Sequence, residues 1–168
     1  AYLSKDFIKL MEIFIDAELK MFRGINTPVI FIQNVIVDMI LGLKMFEVFR
    51  HFDSYIRKKY NAVPGYITMN MPLLLDSLNQ SGIENPVICS SINKIGFRMS
   101  GGKEIYEKYL REKTFRPIAM QVLAAGALRP KEAISYISQF SKIESVLFGA
   151  STRSHIKETK DLVDHFLK

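Results

Sequence analysis

Short apolar runs alternate with helix-like segments along the chain, and this alternation restricts the fold more than any other feature. A helical segment comes first, and five apolar runs follow, each succeeded by another helical segment. The predicted strands cover residues 29–32, 65–69, 86–91, 117–123 and 145–149. Strands that alternate with helices in this way are parallel and are joined by right-handed crossovers. The sequence therefore predicts an α/β protein.

The segments between the strands place apolar residues at helical spacing. The predicted helices cover residues 4–22, 42–59, 72–78, 103–112, 130–140 and 154–167. The apolar stretch 28–43 is interpreted as a buried strand that runs into the next unit, with Asp38 as a solvated loop carboxylate. Polar residues interrupt this stretch, and it is too short to span a bilayer. No membrane association is expected.

The chain has 168 residues, of which 48% are hydrophobic and 24% charged, a balance typical of a soluble globular protein. A single domain over residues 1–168 is predicted. A complete (β/α)8 barrel needs about 250 residues. Because the chain is shorter and begins at Ala1, we expect that an N-terminal part of the natural protein is absent. The formal charge of +6 is spread along the chain without a basic stripe interleaved with aromatic residues, so nucleic-acid binding is not expected.

The few cysteine and histidine residues argue against disulfides and metal sites. Cys89 is the single cysteine, which excludes an internal disulfide and favours a reducing, cytoplasmic compartment. It lies in an apolar run, where a buried and inert thiol is expected. The three histidines, His51, His155 and His165, do not have the spacing of a metal-ligand set. We predict no metal site.

Two architectures fit the alternation of strands and helices: an open doubly wound sheet and part of a closed barrel. No G-x-G-x-x-G motif follows the first strand, which disfavours a dinucleotide-binding fold of the Rossmann type. In both architectures the ligand lies at the carboxyl ends of the strands. Polar residues at those ends are therefore the candidates for function.

The last two strands are followed by small residues that suit an anion. Ala124–Gly126 follows the fourth run, and Gly149–Arg153 follows the fifth and leads into a helix. Small residues allow backbone N–H groups to approach an anion, and a helix N-terminus adds a positive dipole. Ser151 and Thr152 add hydroxyl donors, and Arg153 adds a charge. The alternative is that the glycines relieve crowding at tight turns and that Ser154 caps the helix.

Other strand ends carry weaker candidates. Gln33 and Asn34 follow the first run, where they either bind a ligand or satisfy loop backbone groups. Asn93 and Lys94 follow the third run. Lys94 is either a solvated loop lysine or, if it is desolvated, a ligand contact or an amine that forms a Schiff base.

Three stretches of the sequence resemble aldo/keto reductases. Residues 64–70 (PGYITMN) resemble a strand of that family, and residues 146–159 (VLFGASTRSHIKET) resemble its final strand and cofactor-phosphate helix. The Ala124–Gly126 turn corresponds to a small-residue turn after the family's seventh strand. The Asn93–Phe97 stretch is similar to one found in poorly characterised reductase-like barrels.

The resemblance implies that the five strands are strands 4–8 of a TIM-type barrel, so that the chain is the C-terminal portion of a (β/α)8 barrel. It implies that Thr68 and Asn70 lie near a nicotinamide. It also implies that the pocket containing Gly126 and Gly149 holds the adenosine phosphate of NADP, surrounded by Ser151, Thr152, Arg153 and Glu158. The chain departs from the family at Gln33, where a catalytic histidine is usual, and at Thr159, where asparagine is usual.

Three hypotheses for function follow. The first is an NADP-dependent oxidoreductase of the aldo/keto reductase type, with Gln33 in place of the catalytic histidine. The second is another barrel enzyme, similar to an aldolase or isomerase, that binds a phosphorylated metabolite and uses Lys94. The third is a non-catalytic remnant of a barrel. In each case five parallel strands leave two open edges, so we expect self-association or pairing with a missing N-terminal half.

Overall fold

The computed structural model describes residues 2–143 and 145–167, and these contain a five-stranded parallel sheet. The strands are β1 (Val29–Ile32), β2 (Val63–Thr68), β3 (Val87–Ser91), β4 (Arg116–Met120) and β5 (Ser145–Leu147). Each strand pairs with the next one in the chain, so the order across the sheet is β1-β2-β3-β4-β5. The predicted α/β class is confirmed.

Helices connect the strands and also precede the first one. They are α1 (Tyr2–Leu19), α2 (Asn34–Gly42), α3 (Glu47–Tyr60), α4 (Met71–Gln80), α5 (Lys103–Glu112), α6 (Pro130–Ile137) and α7 (Arg153–Phe166). Two short 3-10 turns accompany them, Lys20–Phe22 after α1 and Ala124–Gly126 after β4. None of the helices described is long and apolar enough to cross a membrane.

The prediction for residues 28–59 is wrong in one respect. The stretch 28–43 was expected to be a buried strand that runs into a single helix over 42–59, but α2 begins at Asn34, directly after β1, and α3 forms a separate helix. Asp38 therefore lies on a helix rather than in a loop, and it is half-buried. The stretch is apolar almost throughout, so its periodicity does not distinguish a strand from a helix.

The strand register separates the two faces of the sheet. Ile30, Tyr66, Ile88 and Ala119 occupy one face and belong to the main hydrophobic core together with buried residues of the helices. The alternate residues occupy the other face and include Phe31, Gly65, Val87, Cys89 and Met120. All the strand residues of the main core lie on the first face, which identifies it as the face that the helices cover.

Phe31 and Gly65 approach each other closely on the second face. The two residues are register partners in β1 and β2. A Cβ atom added to Gly65 would lie 2.5 Å from the Phe31 ring. The aromatic ring thus takes the space of a side chain on β2, and the position requires glycine.

Two buried tyrosines anchor the core with different hydrogen bonding. Tyr66 lies edge-on to Phe49 and Phe52, with ring centroids 5.9 and 5.6 Å away. Its hydroxyl is buried without a hydrogen-bond partner among the described residues, and burial raises its pKa. The Tyr106 hydroxyl donates to the Met69 carbonyl at 2.8 Å and accepts from the Met71 N–H at 3.0 Å. Tyr106 therefore fixes the chain between β2 and α4.

Helix α1 is held against α3 by polar contacts. The Asp16 carboxylate accepts hydrogen bonds from Tyr55 at 2.7 Å, Lys59 at 2.5 Å and Tyr60 at 2.5 Å. The hydrogen bonds from Lys59 and the two tyrosines lower the pKa of Asp16 to about 2. Asp16 thus stays ionised and keeps α1 in place, while much of the apolar surface of α1 remains exposed.

Candidate functional site at the carboxyl ends of the strands

A cleft of about 830 Å³ lies at the carboxyl ends of β4 and β5. Residues 120–123, 125 and 126 form one wall, and residues 147–151 form another. His155 and Glu158 of α7 and Arg98 of the loop before α5 also line it. The cleft brings together Gly126, Gly149, Ser151 and Glu158 from the predicted anion site, but it does not include Thr152 or Arg153.

The turn after β4 has an unusual backbone. Ala124, Ala125 and Gly126 all have positive φ, at 47°, 57° and 92°. A left-handed conformation costs roughly 1–2 kcal/mol for each alanine. Strain of this kind persists only where the surrounding structure holds the backbone in place, and strained residues are concentrated at functional sites.

The backbone N–H groups of Ala124 and Gly126 in this turn already form hydrogen bonds within the protein. Those of Ala124 and Gly126 donate to the carbonyls of Gln121 and Leu123 at 2.9 Å each, and those of residues 127 and 128 donate to residues 124 and 123 at 3.2 Å. The N–H groups of Ala124 and Gly126 are therefore not free to bind an anion in this conformation. The turn contributes the shape of the cleft rather than a cradle of N–H groups.

Helix α7 begins beside the cleft and is capped by Thr152. The Thr152 hydroxyl accepts a hydrogen bond from the His155 N–H at 3.2 Å and lies 2.9 Å from the Ser154 hydroxyl. Thr152, not Ser154, is therefore the N-cap, and its side chain is committed to the helix. The positive end of the α7 dipole lies at this point, next to Ser151 and His155 of the cleft wall.

Arg98 is a cationic residue of the cleft that the sequence pattern did not predict. It follows the Asn93–Phe97 stretch, has a φ of 53°, and its guanidinium lies 5.4 Å from the centre of the Phe97 ring. The fully buried Asn93 fixes this loop, because its amide donates to the Phe97 carbonyl and accepts from the Phe97 N–H, both at 2.8 Å. Asn93 therefore positions the loop and does not contact the cleft.

Lys94 does not have the surroundings that its proposed amine chemistry requires. Half of its side chain is exposed, and its ammonium group forms an ion pair with Glu132 at 2.6 Å. A lysine nucleophile at neutral pH needs a desolvated or cationic environment. The structure therefore argues against Lys94 as a Schiff-base residue and supports the solvated alternative.

The polar groups of Thr68 and Asn70 form hydrogen bonds within the protein. Thr68 is fully buried, and its hydroxyl donates to Asp38 at 2.6 Å and accepts from the Asn70 N–H at 2.8 Å. Asp38 also accepts from the Met69 N–H at 3.2 Å. The Asn70 side chain caps α4 by accepting from the Leu73 N–H at 3.4 Å. These contacts fix the end of β2 and use the only hydrogen of the Thr68 hydroxyl, which is fully buried and does not line the cleft.

Gln33 lies in a different place from the cleft. It is exposed at the end of β1 and precedes α2, whose first residue is Asn34. It lines a groove of about 580 Å³ between α1 and β1. The structure thus does not bring the two candidate catalytic residues, Gln33 and Lys94, into the cleft.

The remaining titratable candidates do not form a reactive set. Burial raises the pKa of the Cys89 thiol to about 11, which makes it a poor nucleophile, as expected. His51 contacts Glu12 at 2.6 Å between α3 and α1. Within the part of the chain that the structure describes, no three His, Cys, Asp or Glu residues are grouped as metal ligands.

The fold and the cleft define an α/β protein with a sequentially ordered parallel sheet and a largely apolar cleft, with a few polar residues, at its carboxyl edge. No family model, curated protein or solved structure matches the chain.

Proposed function

We propose that the chain binds a phosphate-bearing small molecule in the cleft at the ends of β4 and β5, and that this ligand is NADP. The observation that carries the proposal is the set of groups around one opening: the Arg98 guanidinium, the His155 imidazole and the N-terminus of α7. The guanidinium charge and the helix N-terminus favour an anion, and an imidazole can donate an N–H hydrogen bond to one. The volume of about 830 Å³ also falls within the range of small-molecule sites.

The proposal includes the architecture of the sheet. A doubly wound sheet reverses its strand order at the ligand-binding crevice. The order β1-β2-β3-β4-β5 has no reversal, so right-handed crossovers place the connecting helices on one face. A sheet with helices on one face and apolar residues on the other supports strands 4–8 of an aldo/keto-reductase-like barrel.

Within that framework the cleft residues have separate roles. Arg98 pairs with a phosphate through its charged N–H donors, and Ser151 donates from its hydroxyl. Glu158, an acceptor when ionised, suits the hydroxyl groups of a ribose. The apolar residues Leu147 and Phe148 give the cleft a surface for the flat base.

The test is calorimetric titration of the chain with NADPH, NADH and inorganic phosphate. We expect NADPH to bind, and Arg98→Ala to weaken binding about tenfold or more, because a charge-assisted hydrogen bond contributes about 1.5–3 kcal/mol. Arg50→Ala is the matched control, since Arg50 is an exposed arginine on α3 that does not line the cleft.

Each outcome has a defined meaning. Binding of phosphate but not NADPH would replace NADP with another phosphorylated metabolite. Absence of binding by all three probes at millimolar concentration would overturn the proposal and leave a non-catalytic barrel remnant as the better account. An equal loss of NADPH affinity in Arg98→Ala and Arg50→Ala would place the ligand outside this cleft.

A further inference from the structure

The carboxamide of Gln121 is a further polar group of the cleft, separate from the groups that favour a phosphate. Gln121 follows directly after β4, is half-buried and lines the cleft. Its Oε1 atom accepts a hydrogen bond from the Ser91 hydroxyl at 2.8 Å, and Ser91 is fully buried at the end of β3. The bond joins two neighbouring strands and holds the Gln121 side chain at the carboxyl edge of the sheet.

The Ser91 hydroxyl determines which way the amide of Gln121 faces. A serine hydroxyl has one hydrogen to donate. Its other acceptor among the described residues is the Met69 thioether at 3.4 Å, and a thioether accepts only weakly. The hydrogen therefore goes to Oε1 of Gln121, because the nitrogen of an amide has no acceptor capacity.

The Nε2 atom is the part of the Gln121 side chain that remains for a ligand. It carries two hydrogens, and it donates to none of the residues that the structure describes. Over the same residues, the Tyr66 hydroxyl is the one fully buried side-chain polar atom without a partner, so Nε2 is accessible. Because Gln121 lines the cleft, its Nε2 donors are available there.

The backbone of Gln121 is an independent observation. Its φ of 53° is a left-handed conformation that glycine and asparagine adopt more readily than glutamine does. Arg98 and Ala125, which also line the cleft, have positive φ as well. Strained residues of this kind are concentrated at functional sites. A glutamine at this position thus favours a role for its side chain.

We propose that Gln121 is a specificity-determining residue, which donates from Nε2 to a carbonyl or carboxylate oxygen of the phosphate-bearing ligand. Such an oxygen accepts hydrogen bonds and has no hydrogen that would compete with the two on Nε2. Ser91 is the positioning residue that turns these donors toward the cleft. The inference rests on the proposed ligand site and adds the second group that the ligand carries. The carboxamide of NADPH and the carboxylate of a smaller phosphorylated metabolite both supply such an oxygen.

Calorimetric titration with inorganic phosphate, phosphoglycolate and NADPH tests the role of Gln121. Phosphoglycolate adds a carboxylate to the phosphate, and NADPH adds a carboxamide, so the probe that responds identifies the source of the oxygen. Gln121→Met keeps the length of the side chain and removes the amide. We expect it to weaken binding of at least one larger probe about tenfold and to change phosphate affinity by less than about twofold. Gln121→Glu keeps the oxygen that Ser91 bonds, and its second oxygen should weaken the same probe further by repulsion.

Ser91→Ala tests the positioning of the amide. The substitution removes the bond that fixes Oε1, so we expect the affinity for the responding probe to fall about three- to fivefold. Ser90→Ala is the matched control, because Ser90 is an equally buried serine of β3 whose hydroxyl donates to the Thr68 carbonyl at 2.9 Å. Circular dichroism and thermal unfolding verify that each variant is folded.

Proton–nitrogen correlation NMR observes the Gln121 amide directly. Its side-chain resonances, assigned by their absence from Gln121→Met, are expected to shift when the responding probe is added to the wild type. Inorganic phosphate should shift them much less. Resonances that stay in place at saturation with NADPH and with phosphoglycolate would contradict a contact at Nε2.

The titrations separate failure of this inference from failure of the ligand site. Binding of both larger probes with wild-type affinity by both Gln121 variants would overturn the role of Gln121 and leave the phosphate site intact. Equal losses for all three probes would make Gln121 a structural residue and would also overturn it. Ser91→Ala that binds like the wild type would remove the positioning role. Absence of wild-type binding to every probe would refute the proposed ligand site and this inference together.

Discussion

Tyr66→Phe is expected to stabilise the protein. Tyr66 is fully buried, its ring is held edge-on by Phe49 and Phe52, and its hydroxyl lacks a hydrogen-bond partner among the described residues. In the unfolded chain the same hydroxyl bonds to water. Folding therefore removes a hydrogen bond that nothing replaces, and the substitution deletes only the atom responsible.

The expected gain follows from the cost of burying such a group. An unsatisfied buried hydroxyl costs about 1–3 kcal/mol in protein mutational data. The aromatic ring and its contacts remain in phenylalanine, so we expect the free energy of unfolding to rise by about 1 kcal/mol. For a domain of this size that corresponds to an increase in Tm of about 2–4 °C.

Tyr106→Phe is the matched control. Tyr106 is also fully buried, but its hydroxyl bonds to the Met69 carbonyl and the Met71 N–H. The substitution leaves the buried Met71 N–H without this partner, whereas the Met69 carbonyl keeps its bond from the Ser100 N–H, so we expect a loss of about 1–2 kcal/mol. Urea unfolding at pH 7, with equal m-values required for all three proteins, measures both effects. A loss of 1 kcal/mol or more in Tyr66→Phe would refute the reasoning, because it would mean that the hydroxyl has a partner.

Three further predictions concern the sheet, α1 and α7. Gly65→Ala should lower the free energy of unfolding by about 1–3 kcal/mol, because its Cβ would lie 2.5 Å from the Phe31 ring, and Phe31→Leu should restore part of it in urea unfolding. Asp16 has a folded pKa of about 2 against an ordinary value of 3.8. Its contribution to the free energy of unfolding is therefore fully present above pH 3.8 and is lost as the pH falls through about 2. Between those pH values the wild type should lose stability faster than Asp16→Asn in urea titrations, and parallel pH profiles would contradict this. Thr152→Ala should cost about 1 kcal/mol through loss of the α7 cap, and Thr152→Ser should cost much less in the same assay.

The parts of the fold with clear local signals could be predicted from the sequence. Helix α5 has the predicted bounds, 103–112, since its apolar residues recur at helical spacing among charged ones and Gly102 precedes it. The five strands lie where the apolar runs were, with ends that differ by a few residues. Helix α2 could not be predicted, because an apolar stretch reads the same whether it forms a buried strand or a buried helix.

The candidate site was only partly predictable for a different reason. The small residues after β4 and β5 mark the cleft, since glycine and alanine are local signals. Arg98 enters the cleft because the Asn93 side chain closes the loop on Phe97, and the partner of a buried amide is a tertiary contact that one sequence does not display. Likewise, the sequence does not show that the Thr68 hydroxyl is bonded within the protein, because its partner Asp38 is 30 residues away in the chain.

The uninterrupted strand order also affects how the sheet folds during synthesis. In the described sheet each strand pairs with the strand before it in the chain, so a strand leaving the ribosome meets an edge that has already been synthesised. The sheet can then grow at one edge, and no later strand has to insert between two that are already paired. We expect a nascent chain released after β3 to contain paired β1 and β2, and translation to complete the sheet in the direction of synthesis.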